Sequence, residues 1–428
     1  MDYFKLIKQA SPGKTAIIED GIPYTYGNLA EMAAIEAADI KKNISNLSKQ
    51  VYIIKEKSIL RQLVLFLACN SVGIIPAVAP YDLEVYPDIP DVPDNICMAV
   101  MTSGTTGSPK LLYRTYRSWA DFFPVQNEIF GIDKESILFV QGSLAFTGNM
   151  NLYMAQFYAG ATIVAENKFN PKRWGRIIKK ENVNTIYLIP SKLMLLPGII
   201  EETNNNIKSI ISGSQNLGIK DVAKLKNIFP HAGLVLYYGA SELNYITYVR
   251  DKEMTEDKSL VGKPFPGVNV YISNGRICVD SSFHVDGVEC PYIMPDMGHM
   301  DSNGNLYFDG RSDNIVLIHG RKVSLTRIEN ELEKLEEVYE AVVVYDNNIL
   351  AAFISIKNQY NEKGMDDKYI LKSLGIKDNI FNKLRKVFAH YEMPDKIFVL
   401  NKMFYNGSGK KDKNKILKIY KQYKKNQI

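Results

Sequence analysis

The chain has 428 residues, of which 46% are hydrophobic and 23% charged, and its formal net charge is +5. That length holds two or three domains with a large core, and the composition is that of an ordinary soluble globular protein. Cys69, Cys97, Cys278 and Cys290 lie far apart, with no Cys-x-x-Cys and no histidine at ligand spacing, so they read as reduced, buried thiols and exclude a structural zinc site.

The start, Met1-Asp2-Tyr3-Phe4-Lys5, is charged and lacks the apolar stretch of a secretory leader, so the expected location is cytoplasmic. Thr15–Ile18 and Gln50–Ile54 read as strands. Gln62 to Pro80 is the most apolar stretch, but Asn70, Gly73, Pro76 and Pro80 interrupt it. It reads as a buried helix followed by a buried strand, and no membrane span is expected. The apolar run Ile96–Val100 leads into Met101-Thr102-Ser103-Gly104-Thr105-Thr106-Gly107-Ser108-Pro109-Lys110. Its glycines let the backbone approach an anion, its hydroxyls add donors, and its lysine supplies a positive charge. It is not the Walker loop, because Ser108 and Pro109 separate the last glycine from the lysine. Strands follow at Ser136–Val140, Ala161–Val164, Thr185–Ile189 and Leu234–Tyr237, with helical periodicity at Pro171–Lys180 and Ile219–Ile228. This alternation predicts an α/β fold with mostly parallel sheets. From Val268 short strands and turns predict a β-rich subdomain. After Asp313 comes a compact α+β segment: a strand, a helix at Leu325–Glu337, and strands at Ala341–Tyr345 and Leu350–Ile356. The tail from Lys410 to Ile428 carries eight lysines and one aspartate, and Ile416, Ile419, Tyr420 and Tyr423 give it one apolar stripe for docking. Most of those lysines read as a solvated helix face, and nothing suggests nucleic-acid binding.

The loop Thr102-Ser103-Gly104-Thr105-Thr106-Gly107-Ser108-Pro109-Lys110 resembles the signature of the adenylate-forming superfamily: acyl- and aryl-CoA synthetases, peptide-synthetase adenylation domains and luciferases. Further segments resemble its other blocks in the same order. Ile211-Ser212-Gly213-Ser214-Gln215 looks like the loop that passes the purine, with Gly213 and Ser214 in contact with ATP. Tyr238-Gly239-Ala240-Ser241-Glu242 resembles Tyr-Gly-x-Thr-Glu. The resemblance implies that Tyr238 stacks on adenine beside Gly239. Ser241 then bonds the α-phosphate or the substrate carboxylate, and Glu242 holds Mg²⁺, which suits a hard carboxylate. Taken alone, Glu242 reads as an acid at a helix N-terminus. Asp296, in Met294-Pro295-Asp296-Met297-Gly298, matches the ribose-binding aspartate, although Met-Pro stands where Thr-Gly is expected. Gly310-Arg311-Ser312-Asp313-Asn314-Ile315 implies that Arg311 reaches ribose or phosphate and that Asp313 is a hinge. His319-Gly320-Arg321-Lys322-Val323 matches the loop at the thiol channel, through Gly320. Asn406-Gly407-Ser408-Gly409-Lys410, preceded by His390-Tyr391-Glu392-Met393-Pro394, makes Lys410 the catalytic lysine of adenylation. The chain between Pro76 and the phosphate loop is shorter than the family pattern, so the first subdomain is expected to lack a strand–helix unit.

Leu144-Ala145-Phe146-Thr147-Gly148-Asn149-Met150 matches the block that enters the acyl pocket, formed by Ala145, Phe146, Thr147 and Asn149. Amino-acid-activating relatives carry an aspartate where Thr147 stands. A buried ammonium without a counter-charge is costly, so the expected substrate is an aryl or acyl acid with no α-amino group. The resemblance implies a large N-terminal domain, residues 1–312, that binds ATP and the acid, and a small mobile C-terminal domain, residues 313–428. It also implies an ATP- and Mg²⁺-dependent ligase that passes the acyl group to CoA or to carrier-protein phosphopantetheine. Two other readings stand beside it: a stand-alone amino-acid adenylation protein that loads a carrier protein, and a non-catalytic adenylate-binding relative.

Overall fold

The computed structural model describes residues 5–7, 10–43, 50–89, 91–103, 109–318, 320–356, 376–400, 403–405 and 411–425. The chain forms two compact units. The first comprises 1–255, 261–270 and 279–292, and the second 256–260, 271–278 and 293–428.

In the first unit, β1 (Thr15–Glu19) and β2 (Ile22–Thr25) precede the helix α1 (Tyr26–Asn43). A small sheet follows from β3 (Val51–Ile54), α2 (Ile59–Ser71), β4 (Ile75–Val78), β5 (Ile96–Ser103) and β6 (Pro109–Thr115), with strand order β3-β4-β5-β6. The first three of these strands run parallel, and β6 returns antiparallel to β5. The apolar reading of Gln62–Pro80 holds: α2 is buried on almost every side and all four residues of β4 are buried. Among the described residues of 79–95 there is no helix.

Short helices α3 (Tyr116–Ala120) and α4 (Phe123–Phe130) lead to the large sheet. Its elements are β7 (Ile137–Gln141), α5 (Thr147–Tyr158), β8 (Thr162–Glu166), α6 (Pro171–Lys180), β9 (Thr185–Tyr187), α7 (Pro190–Leu193), β10 (Ser209–Gly213), α8 (Ile219–Ile228), β11 (Gly233–Ala240), β12 (Asn244–Arg250) and β13 (Leu260–Pro264). The strand order is β13-β12-β11-β10-β9-β7-β8-β1-β2. From β11 to β1 neighbouring strands are parallel. Parallel strands are reached through crossover helices, and loops at their carboxyl ends form the crevice where such sheets take ligands. The two sheets are tied at a point that matters for the site. Gln62 of α2 accepts from the Ser143 hydroxyl and from Leu144 N–H, both at 3.0 Å, and so holds the approach to α5.

Beyond β13 come β14 (Val268–Ser273), β15 (Arg276–Ser281), β16 (Tyr292–Met300) and β17 (Leu306–Arg311), the β-rich run expected from Val268 onward. In the second unit β16 and β17 pair antiparallel. They are followed by the hairpin of β18 (Ile315–Ile318) and β19 (Arg321–Ser324), and by α9 (Leu325–Lys334). A three-stranded sheet then forms from β20 (Val338–Asp346), β21 (Ile349–Ile356) and, past α10 (Ile376–Leu384), β22 (Lys396–Leu400). One face of this sheet packs on α9 through Ile328 and Leu332. The other packs on α11 (Lys413–Lys425) through Ile416, Ile419 and Tyr420, the stripe read from the tail. The overall class is the expected α/β fold with a smaller α+β C-terminal part.

Candidate functional site

The phosphate-loop motif sits at a β-hairpin end. β5 and β6 pair with Thr102 opposite Lys110 and Ser103 opposite Pro109. Lys110 is therefore an exposed residue of β6, and Thr102 is half-buried on β5. Gly104, Thr105, Thr106 and Gly107 lie outside the described residues, and of Ser103 only the backbone is described.

The block Tyr238–Glu242 is not the entrance to a helix. β11 runs through Ala240, residues 241–243 turn, and β12 returns antiparallel, so the reading of Glu242 as a helix N-terminal acid is overturned. Its side chain is half-buried in that turn. A bulge at Tyr238/Gly239 brings β12 so close that a Cβ on Gly239 would stand 2.5 Å from the Asn244 carbonyl oxygen. Asn244 takes a left-handed backbone, φ +69, and its side chain is fixed by a buried relay. The Trp119 indole donates to Asn151 Oδ1 at 2.6 Å, and Asn151 Nδ2 donates to Asn244 Oδ1 at 2.8 Å.

The strongest support of this turn is Arg114 on β6. It is 1% exposed. Its guanidinium donates to the carbonyls of Ser241 at 2.7 Å, Phe283 at 3.1 Å and Ser118 at 3.2 Å. Burial pulls its pKa down to about 10, against the charge of Glu242, so it stays protonated at neutral pH. Val285 N–H donates to the Glu242 carbonyl at 2.8 Å. The phosphate hairpin and the Ser241–Glu242 turn are thus joined through one buried cation.

Thr147 opens α5, and its Oγ1 lies 3.2 Å from Ser241 Oγ. The fold brings these two expected site residues together. Ala145 and Asn149 are each 8% exposed, whereas Phe146 is an exposed aromatic at the helix cap. The Asn149 amide donates to the Ser143 carbonyl at 2.9 Å, so it braces its own loop. Parallel pairing of β10 with β11 sets Gly213 beside Tyr237, and Ser214 follows with φ +69. Two groups here went unread in the sequence. Tyr187 and Tyr237 share a 2.8 Å hydroxyl–hydroxyl hydrogen bond. Lys192, on α7 at the carboxyl edge of the parallel strands, donates to Gln141 Oε1 at 2.5 Å, and burial pulls its pKa down to about 8.

In the second unit Asp296 and Arg311 are register partners on β16 and β17. Asp296 is buried, and it lies on a strand despite the preceding proline. Gly310, with φ +120, directs its side-chain position against Thr326 and Ser324, 3.0–3.1 Å away. Asp313 falls in the short turn Ser312–Asn314 after β17, described in its backbone only. Gly320, with φ +77, is at the β18–β19 turn with open space around it. Lys410 lies outside the described residues. Its neighbour Lys411 is held by Glu333 and donates to the Ala341 carbonyl at 2.9 Å. Burial lowers the Lys411 pKa, and the carboxylates of Glu333 and Glu329 outweigh it, so the net shift is upward. Lys413 pairs with Glu329 at 2.9 Å. Part of the basic tail is therefore internal structure.

No cluster of three or more His, Cys, Asp or Glu able to hold a metal occurs among the described residues, and no described helix is long and apolar enough to cross a membrane.

Similarity to AMP-binding enzymes and to acyl-CoA ligases makes this chain an ATP-dependent, AMP-forming ligase. Residues 80–281, just under half of the chain, match the family model "AMP-binding enzyme". It is 27% identical over 345 residues to a putative long chain fatty acid-CoA ligase, VraA, of Staphylococcus haemolyticus, covering 76% of this chain and 71% of that protein. It is also 27% identical over 260 residues to the uncharacterized acyl--CoA ligase YhfT of Bacillus subtilis, spanning about half of that protein, 54%. In fold it resembles the O-succinylbenzoate Coenzyme A synthetase (MenE) of Bacillus subtilis in complex with AMP, with a TM-score of 0.80, 16% identity, and 96% of this chain and 97% of that one covered.

Proposed function

We propose that this ligase joins a carboxylic acid without an α-amino group to AMP, releasing pyrophosphate, and then passes the acyl group to a thiol, either CoA or a carrier-protein phosphopantetheine. The observation that carries the substrate reading is the Thr147–Ser241 contact. The first residue of α5 presents a hydroxyl to the Ser241 turn, where an amino-acid substrate would need a carboxylate.

In the first step a carboxylate oxygen of the acid attacks the α-phosphorus, and the bond to pyrophosphate breaks. Thr102, Ser103, Gly104, Thr105, Thr106, Gly107 and Lys110 would cradle the departing phosphates with backbone N–H groups, hydroxyls and one cation. Tyr238 and Gly239 would flank the adenine, with Gly213 and Ser214 along the purine edge. Asp296 would accept from the ribose hydroxyls, and Arg311 would meet ribose or phosphate. Ser241 would orient the attacking carboxylate, because Arg114 and Val285 fix the backbone on which it and Glu242 sit. Glu242 fits a Mg²⁺ site: a single half-buried carboxylate, outside any larger acidic cluster among the described residues, matches an ion held by one carboxylate and substrate phosphates. When bound, that ion would neutralise charge on the phosphates. Lys410 would meet the charge that builds at the α-phosphate. In the second step the thiol attacks the acyl carbon and AMP leaves. Gly320 would line the thiol's approach, after residues 313–428 pivot at Asp313.

The test is a pyrophosphate-release screen over acyl, aryl and amino acids, with and without CoA, on the wild type and on Thr147→Asp. A des-amino acid should exceed its amino counterpart by at least about 10-fold, since each 1.4 kcal/mol is a factor of ten. Thr147→Asp should narrow that gap. An α-amino acid as best substrate would overturn the reading.

A further inference from the structure

Resting on the assignment of Lys410 to adenylation above, we infer that Glu333 and Glu340 sort the two adjacent lysines of the tail. They clamp Lys411 and Tyr405 into a neck, which makes Glu333, Glu340 and Lys411 positioning residues for Lys410. Tyr405 and Lys411 form an antiparallel bridge, and Asp412 N–H donates to the Phe404 carbonyl at 2.8 Å. Bridged partners have Cα atoms about 4.5–5.5 Å apart, so the residues on either side of Asn406–Lys410 are held together. Both are then tied to β20. The Tyr405 hydroxyl donates to Glu340. Lys411 donates to Glu333 of α9 and, at 2.9 Å, to the carbonyl of Ala341, the residue after Glu340. Glu333 also accepts from Ala341 N–H at 3.0 Å. One turn earlier on α9, Glu329 pairs with Lys413 at 2.9 Å and accepts from Val343 N–H at 2.8 Å.

Adhesion alone does not call for this arrangement. Met403, Phe404, Ile416 and Tyr420 already fix the flanking chain in an apolar layer on the sheet. Taking a lysine and two carboxylates out of water is costly, and apolar side chains of similar size in place of a buried ion pair are often as stable or more so. Burial pushes the Glu340 carboxyl up, even with the Tyr405 hydroxyl and Lys411 beside it, and its second oxygen has no hydrogen-bond partner among the described residues. What buried charges supply best is register. Register is at stake here, because the sequence reads Gly409-Lys410-Lys411-Asp412-Lys413. A slip of one residue would set Lys410 against Glu333 and shift the chain by one Cα spacing, about 3.8 Å. With Lys411 bound to Glu333 and Tyr405 to Glu340, that slip breaks two ties at once. The acids take one lysine, and the lysine before it is the one left to meet the α-phosphate.

The experiment uses the acid that performs best in the screen above. It measures pyrophosphate release and, separately, thioester formation from the supplied acyl-adenylate. The proteins are the wild type, Glu333→Gln, Lys411→Met, Tyr405→Phe, Lys410→Ala and the double variant Lys410→Ala/Lys411→Met. A misplacement of about 1 Å at a reacting group can cost about 100-fold, so Glu333→Gln and Lys411→Met should lower kcat of adenylation by about 10- to 100-fold. KM for ATP and the thioester step should stay at wild-type values, because the lost contact is one made only in the adenylation transition state. The double variant should be no slower than Lys410→Ala, since the neck acts through Lys410. Tyr405→Phe removes one hydroxyl from a ring that is 40% exposed, so it keeps the test open should a charge variant fail to fold, and its adenylation kcat should fall in the same direction. Equal loss in both half-reactions, a double variant slower than Lys410→Ala, or wild-type adenylation in folded neck variants overturns the inference and leaves the ligase reading intact. Unimpaired adenylation in Lys410→Ala refutes the assignment of Lys410, and this inference with it.

Discussion

Replacing Arg114 with methionine should loosen the phosphate hairpin and the Ser241–Glu242 turn together. The guanidinium serves three buried carbonyls, those of Ser118, Ser241 and Phe283. Each carbonyl left without a donor costs about 1–3 kcal/mol. Methionine fills the space of the stem, and removal of a desolvated cation offsets part of the loss, which leaves a net destabilisation of about 3 kcal/mol. Both tryptophans, Trp119 and Trp174, are fully buried, and Trp119 stands next to Ser118, so their fluorescence reports unfolding in urea. With an m-value of about 1–3 kcal/mol/M, the midpoint should fall by about 1 M or more. Pyrophosphate release under folding conditions should fall as well, because Ser241 and Glu242 lose their support. Arg114→Lys, with one point donor in place of the planar fork, should lie between the two. A midpoint within about 0.3 M of wild type with unchanged adenylation would refute the assignment of Arg114 as the tie between hairpin and turn.

Lys410→Ala should cost on the order of 10²–10³ in adenylation, as does loss of a preorganised donor at a developing charge, while thioester formation from supplied acyl-adenylate persists. Separate half-reaction assays decide this, and equal loss in both would contradict it. Gly320→Leu should do the reverse, since the left-handed backbone at φ +77 and the open space around it place a bulky, strained side chain on the thiol loop. Collapse of pyrophosphate exchange in that variant would remove the loop from the second step. Lys192 titrates near 8 in the fold against 10.5 when free, so its folded form sheds the proton first. The burial penalty is fully present below pH 8 and fades as pH rises to 10.5, so stability should rise with pH across that window. Unfolding at pH 7 and pH 10 should show this rise in the wild type and its loss in Lys192→Met.

Elements whose cues are local were legible. Pro171–Lys180 and Ile219–Ile228 were read with the bounds they have, because proline or a charged first turn opens each and an apolar stripe runs through it. The hairpin nature of the phosphate motif was half read. The strand before it was seen, but β6 was not, because Leu111–Arg114 places a charge in an apolar run, and that charge proved to be the buried tie. The turn at Glu242 was mistaken for a helix start because serine and glutamate there suit a cap. The alternating aromatic and β-branched residues of Asn244–Val249 were the available signal for β12. The Tyr187–Tyr237 pair could not be read, since only the register of three strands brings those rings together. Lys411 was likewise hidden among identical lysines. Its acid partner Glu333 lies on α9, 78 positions away in sequence.

The central claim is that a carboxylate oxygen attacks the α-phosphate of ATP before a thiol takes the acyl group. An acid labelled with ¹⁸O in its carboxylate tests this directly. The label must pass to AMP when the thiol displaces it. With MgATP, a short acid such as butyrate and CoA or phosphopantetheine as acceptor, mass spectrometry should find AMP carrying one ¹⁸O, with pyrophosphate unlabelled. Thioester formation that yields ADP, or AMP without label, would contradict the account.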